Sequence, residues 1–397
     1  MQPKRSTTWM LLWVALAATP GCGPLAGAAP DGGANDDDGP HGDHPDGPPA
    51  ADPCDPTALG NSYVGCDYWP TVTGNMVSSS YQFAVVVSNT TATTAQVSVE
   101  GGALIAPLAF EVPSHGATVQ RLPWVASLKL CTGATYHDCQ SAHGTSALAS
   151  GGAYHLRSTA PVTVYQFNPL DFQVDGAPES SYTNDASLLF PSNTWGTQYY
   201  VATRPAIVLE PVHYPSELAV TAVADGTVVT ITTRATTRPD GGAPGFTAGV
   251  PQQVTLDAGD VLEIGSGEDG ADLSGSYVIA SKPVQVLGAH FCAQVPVGFG
   301  YCDHLEESML PVAALSNRYM IAAPAVPSLP AGKEETIRVV ATEADTTLTY
   351  DPLQVAPFTL ASPGDFLDIP RTPQSFQITA NHKILVAQFM EGSTAAG

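Results

Sequence analysis

Three segments of this chain repeat one pattern. YHLRSTAPVTVYQFNPL runs from Tyr154 to Leu170, YVIASKPVQVLGAHF from Tyr277 to Phe291 and FQITANHKILVAQFM from Phe376 to Met390. Each reads as an alternating strand, a tight polar turn and an apolar strand led by Pro-Val or Lys-Ile, with Pro161, Pro283 and Lys383 in equivalent places. Alternation of apolar and polar residues with a period of two is the signature of half-buried β-strands. A chain that repeats it at this distance must fold as repeated β units.

Other markers keep the same spacing. LFPSNTWGTQYYVAT (Leu189 to Thr203) matches MLPVAALSNRYMIAA (Met309 to Ala323), aligning Pro191 with Pro311 and Tyr199 with Tyr319. Ala258 to Ile264 matches Pro363 to Ile369. Asp67-Tyr68-Trp69-Pro70 reads as the Leu-Pro marker of a first copy. The expectation is an all-β fold of three diverged repeats, at about residues 67–188, 189–308 and 309–397, each above solenoid size. The last reads as incomplete, because nothing after Leu385 to Met390 closes it as the strand after Leu310 closes the second. Antiparallel strands in β-sandwich-like modules suit the copy length, and a β-propeller is the alternative.

Composition agrees. Of 397 residues only 13% are charged, with 37 Gly and 35 Pro, a mixture that favours short strands and many turns. Against 14 Lys plus Arg stand 37 Asp plus Glu, a net charge of -23 that repels phosphate backbones and argues against nucleic-acid binding.

The amino terminus reads as an address. Lys4 and Arg5 precede an apolar run from Trp9 to Ala18, about ten residues, too short to span a bilayer but suited to a signal-peptide core. Ala18-Thr19-Pro20-Gly21-Cys22 follows, and a small residue before Cys after such a core resembles the lipobox of bacterial lipoproteins. That resemblance implies residues 1–22 as leader, lipidation of Cys22, and, with Gly23 rather than Asp next, an outer-membrane or cell-surface location. Secretion without an anchor is the alternative. Residues 23–53 are rich in Gly, Pro, Ala, Asp and His without hydrophobic periodicity, and read as a disordered acidic tether. Residues 54–397 then form the β domain.

Six cysteines remain beyond Cys22. They fall into sequence-local couples, Cys54 with Cys66, Cys131 with Cys139 and Cys292 with Cys302, the simplest of the possible pairings and one that suits an oxidising compartment. The CxxC spacing of zinc sites is absent, and no metal or cofactor is expected.

One block carries a family resemblance. Ser281-Lys282-Pro283-Val284, Cys292-Ala293-Gln294-Val295-Pro296, Cys302-Asp303-His304-Leu305-Glu306-Glu307 and Met309-Leu310-Pro311-Val312, with Leu189-Phe190-Pro191, Trp195-Gly196 and Tyr199, resemble the amino-terminal domain of the IgG Fc-binding protein family. The resemblance implies a non-enzymatic extracellular binding or adhesive role. The expected partner is an extracellular protein or glycan, with membrane contact only through the lipid expected on Cys22. No binding residue carries over from the resemblance.

The residues offer little catalytic chemistry. GxSxG, HExxH and the P-loop are absent. The densest polar cluster is Asp303, His304, Glu306 and Glu307, near His290. Read functionally, it is a metal-dependent hydrolase built on His290, His304 and Glu306. Read structurally, it decorates a disulfide-closed loop, His304 capping backbone groups and the acids facing water. A structural envelope component without a ligand is a third reading. Trp69, Trp124, Trp195, Tyr199 and Tyr200 are candidate carbohydrate platforms, though Trp195 aligns with Leu315, which points to core.

Overall fold

The computed structural model describes residues 52–131, 133, 135, 138, 146–177, 179–209, 212–325 and 332–392. The leader, Cys22, nearly all of the tether, Cys139 and residues 393–397 lie outside this set.

The strands fall into three sets. The first holds β1 (Gly65–Tyr68), β2 (Phe83–Asn89), β3 (Ala95–Gly101), β4 (Leu108–Val112), β5 (Gly116–Leu122), β6 (Ala147–Ala149), β7 (Tyr154–Phe167) and β8 (Ala186–Leu188). The second holds β9 (Gly196–Tyr200), β10 (Ile207–Leu209), β11 (Val212–Tyr214), β12 (Ser216–Ala222), β13 (Thr227–Thr232), β14 (Gln252–Leu256), β15 (Val261–Gly265), β16 (Tyr277–Ala293) and β17 (Asp303–Ser308). The third holds β18 (Ser316–Ile321), β19 (Glu335–Ala341), β20 (Thr346–Asp351), β21 (Phe358–Leu360), β22 (Phe366–Thr372) and β23 (Phe376–Phe389).

Each set is built on its long strand. The order β4-β3-β7-β2-β5 recurs as β14-β13-β16-β12-β15 and as β21-β20-β23-β19-β22. The first half of the long strand pairs with the opening strand (β1, β9 or β18), and the second half with β2, β12 or β19. All these pairs are antiparallel. The long strand therefore passes from one layer to the other, and each sheet curls over its own core. Val97 and Val99 of β3 share a buried cluster with Val85 and Val87 of β2. Ile378 of β23 is buried with Val339 of β19 in the third set. Proline, which cannot donate to a ladder, marks the change of layer at Pro161 and Pro283.

A tyrosine fastens each change of layer. Tyr68 Oη donates to the Val162 carbonyl at 2.6 Å, Tyr199 Oη to Val284 at 2.7 Å and Tyr319 Oη to Ile384 at 3.0 Å. The acceptor is in each case the residue after Pro161, Pro283 or Lys383. This corrects the reading of the first copy: Tyr68 stands where Tyr199 and Tyr319 stand, so Asp67-Tyr68-Trp69-Pro70 is the opening strand and not the Leu-Pro marker. The aromatic-proline pair misled because both motifs put a bulky residue near a proline.

The sets are closely joined. A Cβ on Gly65 would lie 2.4 Å from Pro191 Cβ, and one on Gly196 would lie 2.5 Å from Pro311 Cβ, so glycine is what lets each following Leu-Pro marker sit against the preceding opening strand. The strand β6 leaves its own set and pairs with β15. Arg338 joins the second and third sets, bonding Asp368 Oδ1 at 2.7 Å, Asp272 Oδ2 at 2.5 Å and the Thr203 carbonyl at 2.8 Å.

Candidate functional site

In the first two sets the long strand runs through a loop into a closing strand, β8 or β17. These loops, residues 168–185 and 294–302, are rooted together. Asn168, opening the first, donates to Thr73 through both its carbonyl, at 3.1 Å, and its hydroxyl, at 3.0 Å. Asp185, ending it, accepts the Glu306 N–H through Oδ2 at 2.6 Å. Ser187 Oγ donates to the Glu306 carbonyl at 2.8 Å. The last strand of the second loop is thus sewn to the last strand of the first.

Glu306 is the hub. Its Oε2 accepts Thr73 Oγ1–H at 2.6 Å, and its Oε1 accepts from Gln166 at 2.9 Å and from Ser187 at 3.1 Å. His304 Nε2 lies 3.1 Å from Thr73 Oγ1, and its Nδ1 lies 3.6 Å from Asp185 Oδ2. Both side chains are buried. Burial pushes the Glu306 carboxyl above its ordinary range, and His304, Thr73 and Gln166 pull it back. A buried carboxylate with its lone pairs filled holds its surroundings in one arrangement.

A second acidic pair lies one residue further along the linker. Gly74 N–H donates to Glu263 Oε1 at 2.7 Å. Neither oxygen of Glu217 has a hydrogen-bond partner among the described residues, and a Cβ on Gly74 would stand 2.7 Å from Glu217 Oε1. Burial, and for Glu217 the neighbouring Glu263, push both carboxyls well above the ordinary value.

This geometry corrects the reading of the His304 cluster. His304 meets a side-chain hydroxyl rather than capping backbone groups, and Glu306 is enclosed rather than facing water. His290 stands apart in a bonded pair of its own. Its Nδ1 accepts the Cys292 N–H at 3.1 Å, and Nε2 lies 3.0 Å from the Pro205 carbonyl, to which it donates. Burial lowers its pKa to about 3, so the ring is neutral and both nitrogens are engaged. Among the described residues, no group of three His, Cys, Asp or Glu is placed to hold a metal. What this arrangement can do is fix two loops.

The loops present aromatic residues to solvent. In the second, Tyr301 is 80% exposed, Val297 53% and Phe299 40%; in the first, Tyr182 is 73% exposed and Phe172 57%. Phe172 and Tyr182 meet edge to face with centroids 5.8 Å apart. The second loop is closed by the Cys292–Cys302 disulfide, with Cα atoms 5.1 Å apart. Cys54–Cys66 ties the entry to β1, with Cα atoms 5.6 Å apart. Cys131 is buried, and its expected partner Cys139 lies outside the described residues.

The aromatic platforms expected from sequence are elsewhere. Trp69, Trp195, Tyr199 and Tyr200 are buried. Trp124 is half-buried, with its Nε1–H on the Tyr81 carbonyl at 2.6 Å. Sequence reasoning passed over Phe172, Tyr182, Phe299 and Tyr301. The signal for them was positional: each lies between a Pro-Val strand and the Leu-Pro marker that follows, in a stretch without strand alternation.

A family profile described as IgGFc binding protein matches residues 185–397, from the end of the first loop through the second and third sets. A human protein described as IgGFc-binding protein is 32% identical over 212 residues, which are 53% of this chain and 4% of that protein. No solved structure matches the chain.

Proposed function

The chain belongs to the IgGFc-binding protein family, and on that premise we propose that it is an extracellular binding protein that holds a protein partner with its two aromatic loops, 168–185 and 294–302. The supporting observation is that exposed aromatics occupy equivalent loops of two copies, both rooted on the Thr73–Glu306 network. Aromatic side chains bury large area at low entropic cost, and fixed loops lose less freedom on binding. Adhesion is the biological form of this activity, with the chain held at a bacterial surface by lipid on Cys22.

Binding to immobilised partner tests the reading, with IgG Fc as the first probe and surface extracts as the second. The paired changes Phe299→Ala with Tyr301→Ala, and Phe172→Ala with Tyr182→Ala, should each reduce binding by tenfold or more, about 1.4 kcal/mol, with an unchanged melting temperature. A partner bound equally well by both double variants would refute the loop assignment. For the anchor, Cys22→Ala should abolish lipid labelling and move the chain from the membrane to the soluble fraction.

A further inference from the structure

A cleft of about 500 Å³ lies where the first two sets meet, a volume in the range of small-ligand pockets. Its apolar walls come from Tyr63, Phe190, Trp195, Leu310, Pro311 and Ala314. Among the described residues that line it, none is Lys, Arg, His, Asp or Glu. A charged ligand would lose its water there without gaining a counter-charge, so the cleft suits a neutral one. The wall that carries Tyr63 is held in place. The Cys54–Cys66 disulfide closes that segment, and Asn193 Nδ2 donates to the Gly60 carbonyl at 3.0 Å. A wall fixed beforehand loses little freedom when a ligand enters.

Two buried residues of the lining, Gln285 and Ser308, each carry a polar atom with no hydrogen-bond partner among the described residues. These atoms are Gln285 Oε1 and Ser308 Oγ. The Gln285 amide has one orientation, because Nε2 donates to the Trp69 carbonyl at 3.0 Å and a carbonyl only accepts. Oε1 is therefore the atom left over. Ser308 stands opposite Leu287 across the β16–β17 ladder, and Gln285 is two residues from Leu287 on the same face. Such diagonal neighbours stand within roughly 7–8 Å of each other. A buried polar atom without a partner is costly, and a ligand that supplies the partner recovers that cost on binding.

We propose that this cleft binds the acetamido group of an N-acetylated hexosamine. That group asks for one acceptor, one donor and an apolar seat. Its N–H donates to Gln285 Oε1, the Ser308 hydroxyl donates to its carbonyl, and its methyl meets the apolar lining. The N–H and C=O of a trans amide point in opposite directions, which suits partners on two neighbouring strands. The C–H face of the sugar ring packs on Tyr63, which is 53% exposed. A sugar with a free amine brings an unpaired charge, and one with a hydroxyl at that carbon lacks the methyl. The site is separate from the aromatic loops, since none of Phe172, Tyr182, Phe299 and Tyr301 lines it.

Titration of the full chain with N-acetylglucosamine and N-acetylgalactosamine, read by saturation-transfer NMR, tests it. Glucose, glucosamine and Nε-acetyl-lysine are the controls. At least one N-acetyl sugar should bind saturably and about tenfold or more tightly than glucose or glucosamine. Ser308→Ala should weaken that binding about tenfold without lowering the melting temperature, because its hydroxyl bonds no described residue. Ala314→Trp, at an exposed position of the lining, should abolish binding by filling the cleft. Phe299→Ala with Tyr301→Ala should leave sugar binding unchanged, so failure here and failure of the loop assignment are read separately. Absence of saturable binding by both N-acetyl sugars, equal binding of glucose, or full binding by Ser308→Ala and Ala314→Trp would overturn the proposal. So would equal binding of Nε-acetyl-lysine, which would keep the acetamide and remove the sugar.

Discussion

The Thr73 hydroxyl donates to Glu306 Oε2 at 2.6 Å across 233 residues of sequence. That bond ties the linker after the first opening strand to the strand leaving the disulfide-closed loop, and it lies where both aromatic loops are rooted. Thr73→Val keeps the shape and removes the donor. A buried acceptor left short of a donor costs about 1–3 kcal/mol. The variant should melt several degrees lower, and Thr73→Ser should recover most of the loss, as read by calorimetry.

The buried pair Glu217 and Glu263 makes stability depend on pH in a definite direction. Both folded-state pKa values are raised by burial. Such groups contribute stability that is present below the unfolded carboxyl pKa and is lost as pH rises through the folded value. His290 works the other way. Its pKa is depressed to about 3, so its contribution is present above the unfolded histidine value and is lost as pH falls. Glu217→Gln isolates the acid term. It should leave the melting temperature nearly unchanged at a pH below the ordinary carboxyl value and raise it in mildly alkaline buffer. An equal shift at both pH values would mean that the pair does not titrate.

Close backbone contact joins the second and third sets. A Cβ on Gly275 would lie 1.9 Å from the Gly364 carbonyl oxygen, and Gly275 has φ of 79°. Gly226 has φ of 63° with no atom within 4 Å of its Cβ position. Gly226→Ala therefore costs only backbone strain, about 1–2 kcal/mol. Gly275→Ala adds a clash with main chain and should cost clearly more in urea unfolding.

The disulfide of the second loop restrains its tip more than it restrains the fold. Replacing both Cys292 and Cys302 by Ser should cost about 2–3 kcal/mol from loop entropy. Partner binding should fall by more than stability does, because Tyr301 and Phe299 lose their fixed presentation. Calorimetry beside binding on one sample separates the two effects.

Strand content, the threefold recurrence and the equivalence of Pro161, Pro283 and Lys383 were legible in sequence. They rest on local rules, a side-chain period of two and turn chemistry within a few residues. The same rules placed Tyr199 opposite Tyr319 but misplaced Tyr68, because one aromatic beside a proline looks like another when read locally.

The tertiary structure decided which aromatics are core and which face solvent, since exposure depends on the layer that a distant strand supplies. It also decided the role of His304 and Glu306. Their partners Thr73, Asn168, Gln166 and Asp185 come from more than 100 residues away, so nothing near Cys302 announces that the cluster is enclosed. The sequence by itself determined a repeated antiparallel β-fold, because strand periodicity is written residue by residue. The aromatic surface was decided only when the copies packed, because exposure is a property of what lies alongside a strand rather than of the strand.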